Sequence, residues 1–120
     1  MILIKVVIAG SRGFQDYEMM KRVLDKELQM YNPSEIEIVS GGADGADKLG
    51  ERYQIEEGLA RLTQFIPKWD AGDAAGHKRN AEMAAYGDWV FCFWDGKSRG
   101  TKSMIKMSER AGKKVFVIKY

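Results

Sequence analysis

The chain has 120 residues, with Lys+Arg 19 against Asp+Glu 17, a formal charge of +2 and a single cysteine. That length suits one compact domain over residues 1–120, built around a single core, with no room for a second. The near-neutral balance argues against a dedicated duplex-DNA binder, and a lone thiol, Cys92, set in the apolar run WVFCFW rules out an intrachain disulfide and favours a cytoplasmic setting. No apolar stretch approaches the roughly 20 residues of a membrane helix. The opening MILIKVVIAG lacks the length and cleavage pattern of a signal peptide, so a soluble protein without membrane partners is expected.

Ile2 to Ala9 is an apolar run broken only by Lys5, the pattern of a strand covered on both faces. It ends in Gly10-Ser11-Arg12-Gly13, and Asp16 then stands where it can cap a helix. Tyr17, Met20, Val23, Leu24, Leu28 and Tyr31 form one stripe of that helix until Asn32-Pro33 stops it. Ile36 to Ser40 reads as a second strand, followed by a glycine-rich stretch and a helix marked by Ala46, Leu49 and Tyr53, which Gly58 ends. Leu62 to Ile66 is a third strand, Ala74 to Ala85 a third helix and Trp89 to Phe93 a fourth strand. A polar loop, Asp95 to Thr101, opens a helix through Met104, Ile105, Ser108 and Ala111, with Gly112 as its stop and Val115 to Ile118 as the last strand. This alternation predicts an α/β fold: a single Rossmann-like, doubly wound, mainly parallel five-stranded sheet flanked by helices. With strand order 3-2-1-4-5, ligands belong outside the carboxyl ends of strands one and four, at the switch point.

Three glycine-bearing polar stretches follow strands: GSRGF at Gly10 to Phe14, SGGADGAD at Ser40 to Asp47 and DGKSRGT at Asp95 to Thr101. All three would converge on one rim, and two run into helices whose free N–H groups and positive dipole ends attract phosphate. SGGADGAD is equally the composition of a tight turn in which Asp44 or Asp47 caps the next helix. It is not GxGxxG, and no acidic residue ends the second strand to hold a dinucleotide ribose, so a nicotinamide oxidoreductase is disfavoured. Gly96-Lys97-Ser98 fails as a Walker motif because Phe91 stands where the first glycine is required. Ser98, Gly100 and Thr101 still suit a phosphate cradle at a helix start, with Lys97 or Arg99 to neutralise charge; a solvated charged turn is the alternative. Ser11-Arg12 would bring a hydroxyl and a guanidinium to the switch point, or leave Arg12 in a surface ion pair. Arg79 and Asn80 start the third helix as nucleotide contacts or as an ordinary polar face. Trp69 and Trp94 are candidates for stacking on a base or for packing, and Trp89 is assigned to the core. With His77 the only histidine, no histidine-rich metal cluster is expected.

Taken together, GSRGF, VSGGADGAD, PKWD with AGHKRN and Met83, FWDGKSRGT and AGKKVFVI resemble the YspA-like branch of the SLOG superfamily, named after the DprA/Smf and LOG proteins. The resemblance covers nearly the whole chain. It implies a Rossmann-like domain that binds nucleotides or nucleotide-derived, ADP-ribose-like ligands as a sensor or processing module in bacteria and their phages, and it implies homo-oligomers. Met19, Met30 and Met107 would serve such a contact or fill the core. The enzymatic LOG relatives cleave the N-glycosidic bond of nucleoside monophosphates with an arginine in a motif like HxRKAxM and a glutamate in PGGxGTxxE. His77, Arg79, Ala81 and Met83 match the first motif, with Asn80 in place of its lysine. Gly100-Thr101 match part of the second, but its glutamate falls on Met104. DprA, which binds single-stranded DNA, carries a comparable GSR and SGxAxGxD pair.

The resulting expectation is a binding protein for a nucleotide or nucleotide-derived signalling ligand, requiring no further cofactor. Its contacts are Gly10, Ser11, Arg12, Gly41, Gly42, Ala43, Gly45, Asp47, Arg79, Asn80, Asp95, Ser98, Gly100 and Thr101. The amides of Gly41, Gly42 and Gly45, with Ser98, Gly100 and Thr101, would hold phosphate that Arg12 and Arg79 neutralise, and Asp47 or Asp95 would bond ribose hydroxyls. The alternatives are a LOG-like hydrolase using Arg79 and Asp95, Asp44 or Asp47, and a DprA-like single-strand binder, which the near-neutral charge disfavours.

Overall fold

A computed structural model describes residues 2–68, 72 and 74–120. Five parallel strands, β1 (Ile4–Gly10), β2 (Ile36–Ser40), β3 (Arg61–Gln64), β4 (Trp89–Trp94) and β5 (Lys114–Lys119), form one sheet in the order β3-β2-β1-β4-β5. Helices α1 (Tyr17–Glu27), α2 (Ala46–Glu56), α3 (Ala75–Tyr86) and α4 (Arg99–Arg110) connect them, with a short 3₁₀ turn at Pro33–Glu35. The central strands are buried on both faces, which is why β1, β2 and β4 are largely apolar, interrupted only by Lys5 in β1 and by Glu37 and Ser40 in β2.

Two cores result. Val6, Ile8, Ile38, Phe91 and Phe93 point to the side of α1 and α2, where they meet Met20, Leu24 and Tyr53. Val7, Val39, Val90 and Cys92 point the other way, onto Met83, Met104 and Ile105 of α3 and α4. Burial pushes the Cys92 thiol up to about 12, so it is a packing group and not a nucleophile. Trp89 is half-buried, its ring 5.7 Å from Tyr31 and 5.6 Å from Phe116. Among the described residues, no helix is long and apolar enough to cross a membrane.

Several boundaries differ from the sequence reading. The first strand starts at Ile4, leaving Ile2 exposed. The first helix ends at Glu27, but Leu28 and Tyr31 still pack through a turn in which the Tyr31 amide donates to the Leu28 carbonyl. The third strand is Arg61–Gln64 and not Leu62–Ile66, because Glu37 to Ser40 pair with Arg61 to Gln64 and β2 then gives way to the glycine loop. Ile66 consequently leaves the sheet and is 59% exposed. Of the three methionines considered for a contact, Met19 and Met107 pack on the cores and Met30 is exposed.

Candidate functional site

The switch point is built by close contacts between loops. Gly10, with φ +153°, ends β1 where any β-carbon would collide with the Phe93 carbonyl and with Ala46. The Ser11 amide donates to the Phe93 carbonyl at 2.9 Å, and Ser11 Oγ accepts the Asp95 amide at 3.1 Å, tying the ends of β1 and β4 together. The Ser11 carbonyl in turn accepts the Ala46 amide at 3.4 Å. Gly45, at φ +83°, leaves no space for a side chain beneath the Ser11 and Arg12 carbonyls. Its part is thus to let two loops touch, and the start of α2 is capped by the first loop.

The glycine loop folds around Asp47. This carboxylate is only 5% exposed and accepts the Ala43 amide at 3.2 Å, while the Gly42 amide donates to Ser40 Oγ at 3.0 Å. The expectation that the Gly42 amide cradles phosphate is therefore corrected: a buried serine already takes that donor, and the Ala43 amide is likewise engaged. Burial pushes the Asp47 carboxyl up to about 6, against the opposing pull of the Ala43 amide and the Arg79 guanidinium.

Arg79 enters from α3. Its Nη1 donates to the carbonyls of Gly41 at 2.6 Å and Phe65 at 3.3 Å, and its Nε to Asn80 Oδ1 at 2.8 Å. A guanidinium has five N–H donors, and these contacts leave the two on Nη2 without a partner among the described residues. Half-burial, with Arg12 nearby as a like charge, holds its pKa below the ordinary value. Arg12 is exposed and makes no ion pair among the described residues.

On the opposite wall, Asp95 Oδ1 accepts the Lys97 and Ser98 amides, each at 2.8 Å, which holds its carboxyl below the ordinary range. Ser98 caps α4, its Oγ accepting the Thr101 amide at 3.3 Å. The Trp94 indole donates to the Ser98 carbonyl at 3.0 Å, fixing the loop from behind. Trp94 is thus a loop anchor packed on the core. Trp69, the other stacking candidate, lies outside the described residues.

These pieces enclose an open cavity of about 470 Å³ at the carboxyl ends of β1 and β4. Gly10, Ser11, Arg12, Ala43, Asp47, Arg79, Asn80, Asp95, Ser98, Gly100 and Thr101 all line it. Gly41 and Gly42 instead line an adjoining cavity of about 260 Å³, and Gly45 lies outside both. The floor is made by Ala9, Met83 and Met104; Met83 and Met104 stand at positions of the LOG-like motifs, whereas Ala9 and the rim residue Gly13 were not singled out in the sequence. The apolar stripe of α4 signalled that Met104 is buried, but not that it meets Met83 beneath one opening. Among the described residues, no cluster of three or more His, Cys, Asp or Glu could hold a metal ion.

Residues 4–72 match the family model described as YspA, cpYpsA-related SLOG (YAcAr). The chain is 33% identical over 115 residues to the Gene 61 protein of Mycobacterium phage D29, covering 90% of each. Its fold is similar to that of DNA processing protein A from Helicobacter pylori, a structure described for its single-stranded DNA binding mode, with a TM-score of 0.67 at 21% identity. That alignment covers 97% of this chain and 65% of the other.

Proposed function

Because the chain belongs to the YspA, cpYpsA-related SLOG family, a nucleotide- or nucleic-acid-binding group, we propose that it binds a nucleotide or nucleotide-derived ligand, ADP-ribose-like or a signalling nucleotide, in the cavity at the switch point. The observation that carries this reading is that Arg12 and Arg79 face the same opening as the start of α4. Two guanidiniums and a helix N-terminus on one polar cavity are a favourable setting for phosphate oxygens. Of the two candidate acceptors for ribose hydroxyls, Asp95 is favoured, because the Lys97 and Ser98 amides keep its carboxylate ionised. A binding role is favoured over N-glycosidic cleavage because the thioether of Met104, which cannot ionise, lies on the floor where the resemblance to the LOG motif puts the glutamate. Glycosidic cleavage needs a carboxylate free to stabilise the cationic sugar or to activate water.

The test is a thermal-shift and calorimetric screen of nucleoside mono- and diphosphates and ADP-ribose, with chromatography for released base. Stabilisation of the wild type that is lost in Arg79→Ala, with the nucleotide recovered intact, is the expected result. No stabilisation by any nucleotide overturns the reading, and release of free base moves it to hydrolysis.

A second reading, single-stranded DNA, is favoured by one feature beside the cavity. Arg99, Lys102, Lys106 and Arg110 share a groove of about 350 Å³ with His77. Cations at successive helical turns can follow a phosphate backbone. Oligonucleotide affinity that falls steeply with salt would support that reading.

A further inference from the structure

β5 is the last strand of the sheet, and α4, which packs on β1, β4 and β5 alike, is centred over β4 and leaves the outer side of β5 open. The ladder with β4 decides which backbone groups face outward. Trp94 stands beside Lys119, and its carbonyl accepts the Tyr120 amide at 3.3 Å, so Tyr120, Ile118 and Phe116 turn their amides inward. The N–H and C=O groups of Val115, Val117 and Lys119 therefore point away from the sheet, and among the described residues they have no partner. Lysine on an edge strand commonly blocks such pairing. Here the two lysines are drawn back over their own sheet: Lys114 Nζ lies 4.4 Å from the Trp89 ring centre and Lys119 Nζ 5.2 Å from that of Trp94. What remains at the edge is apolar, with Val117 44% exposed and Phe116 and Ile118 half-buried. The opposite edge strand, β3, is shorter and carries exposed Arg61 and Gln64 at its ends.

We infer that β5 pairs with β5 of a second copy of this chain, antiparallel and about a two-fold axis through Val117, so that two sheets become one. The strand is complementary to itself in that register. On the face of α4, Val117 meets the partner's Val117 and Val115 lies opposite the partner's Lys119; on the face of α1, Phe116 lies opposite the partner's Ile118 and Lys114 opposite the partner's Tyr120. Apolar side chains thus meet at the centre, an ammonium meets an aromatic ring at each end, and no like charges stand opposite each other. Val115, Val117 and Lys119 of both copies fall into hydrogen-bonded pairs, giving about six backbone bonds. A slide of one residue would set outward groups against inward ones, and a slide of two in one direction would set Lys119 against the partner's Lys113. The same patch serves both copies, as a closed two-fold contact requires.

The experiment is sedimentation of the full chain over a range of micromolar concentrations, together with disulfide trapping. The wild type should sediment as a dimer. Val117→Lys, which sets two ammonium groups together on the axis, should raise the dimer dissociation constant by at least about 10-fold while keeping the circular dichroism of the wild type, because the side chain it replaces is at the surface. Val117→Cys should cross-link to itself under mild oxidation, since the α-carbons of a hydrogen-bonded antiparallel pair lie about 5.5 Å apart, within reach of a disulfide. Val115→Cys and Lys119→Cys should each fail to cross-link alone and should cross-link to each other when mixed. The native Cys92 is fully buried and does not compete. These cysteine variants decide the matter even if Val117→Lys does not fold. A wild type that stays monomeric at every concentration overturns the pairing, as does a dimer that Val117→Lys leaves intact. Self-linking of Val115→Cys or Lys119→Cys as fast as that of Val117→Cys overturns the two-fold register.

Discussion

Arg79 occupies the space that a Gly41 β-carbon would need, and its Nη1 donates to the Gly41 carbonyl 38 residues away in sequence. The glycine loop and α3 are therefore fitted to each other through one guanidinium, which also faces the cavity. Glycine at 41 is required by this close approach and not by a positive φ.

From that contact, Gly41→Ala should push the Arg79 guanidinium off the loop and weaken nucleotide binding by about 10-fold, corresponding to roughly 1.4 kcal/mol. In an Arg79→Ala background the same substitution should cost much less, because the displaced group is gone. A double-mutant cycle read by calorimetry checks this, and strictly additive effects would refute the coupling.

The Asp47 carboxyl, pushed up to about 6 by burial, holds its proton more tightly folded than unfolded. Its contribution therefore favours the folded state most at low pH and is lost as pH rises from about 4 to about 6, a change on the order of 3 kcal/mol. Asp47→Asn should flatten that part of the profile, measured as melting temperature between pH 4 and 7. Glu51 and Arg79 act on the same carboxyl in opposite directions, so variants at those positions should move the midpoint.

The same ionisation should govern affinity. Above pH 6 a negative charge at the cavity wall opposes an anionic ligand, so ADP-ribose should bind more tightly at pH 5.5 than at pH 7.5. ADP-ribose is the proper probe because its pyrophosphate does not titrate in this range, whereas a phosphate monoester does, near pH 6. Asp47→Asn should remove the dependence.

Ser98 Oγ accepts the Thr101 amide at the start of α4 and meets Thr101 Oγ1 at 3.1 Å. Ser98→Ala should cost about 1 kcal/mol in chemical denaturation and Ser98→Asp should restore most of it. Equal stability of Ser98→Ala and wild type would show that water replaces the cap.

Gly50 lies within α2, where alanine normally adds helical stability of about 1 kcal/mol. Here a β-carbon would sit 2.7 Å from Ile8 Cβ and 2.8 Å from its Cγ2, in the fully buried centre of β1. Gly50→Ala should therefore destabilise by about 1–3 kcal/mol, as overpacking does. A rise in melting temperature would mean that α2 moves freely over the sheet.

Composition and pattern determined the element order, the α/β class and the cysteine's place in the core, because burial on both faces imposes apolar runs that are visible locally. They also brought out the loops that carry most of the cavity wall, since a strand followed by glycine and small polar residues marks a carboxyl-end turn wherever the strands lie. Only the tertiary structure decided what each loop residue does. Gly42 was legible as glycine, but that its amide is spent on Ser40 depends on a side chain turned inward. Gly45 was legible as a turn residue, but its need to be small comes from the carbonyls of another loop. Met83 and Met104 became one floor because α3 and α4 pack side by side on the same face of the sheet, and Arg12 came to share a cavity with Asp95 because parallel pairing of β1 with β4 brings together loops 83 positions apart. Contacts across such separations are set by strand order and register, which local propensity does not encode.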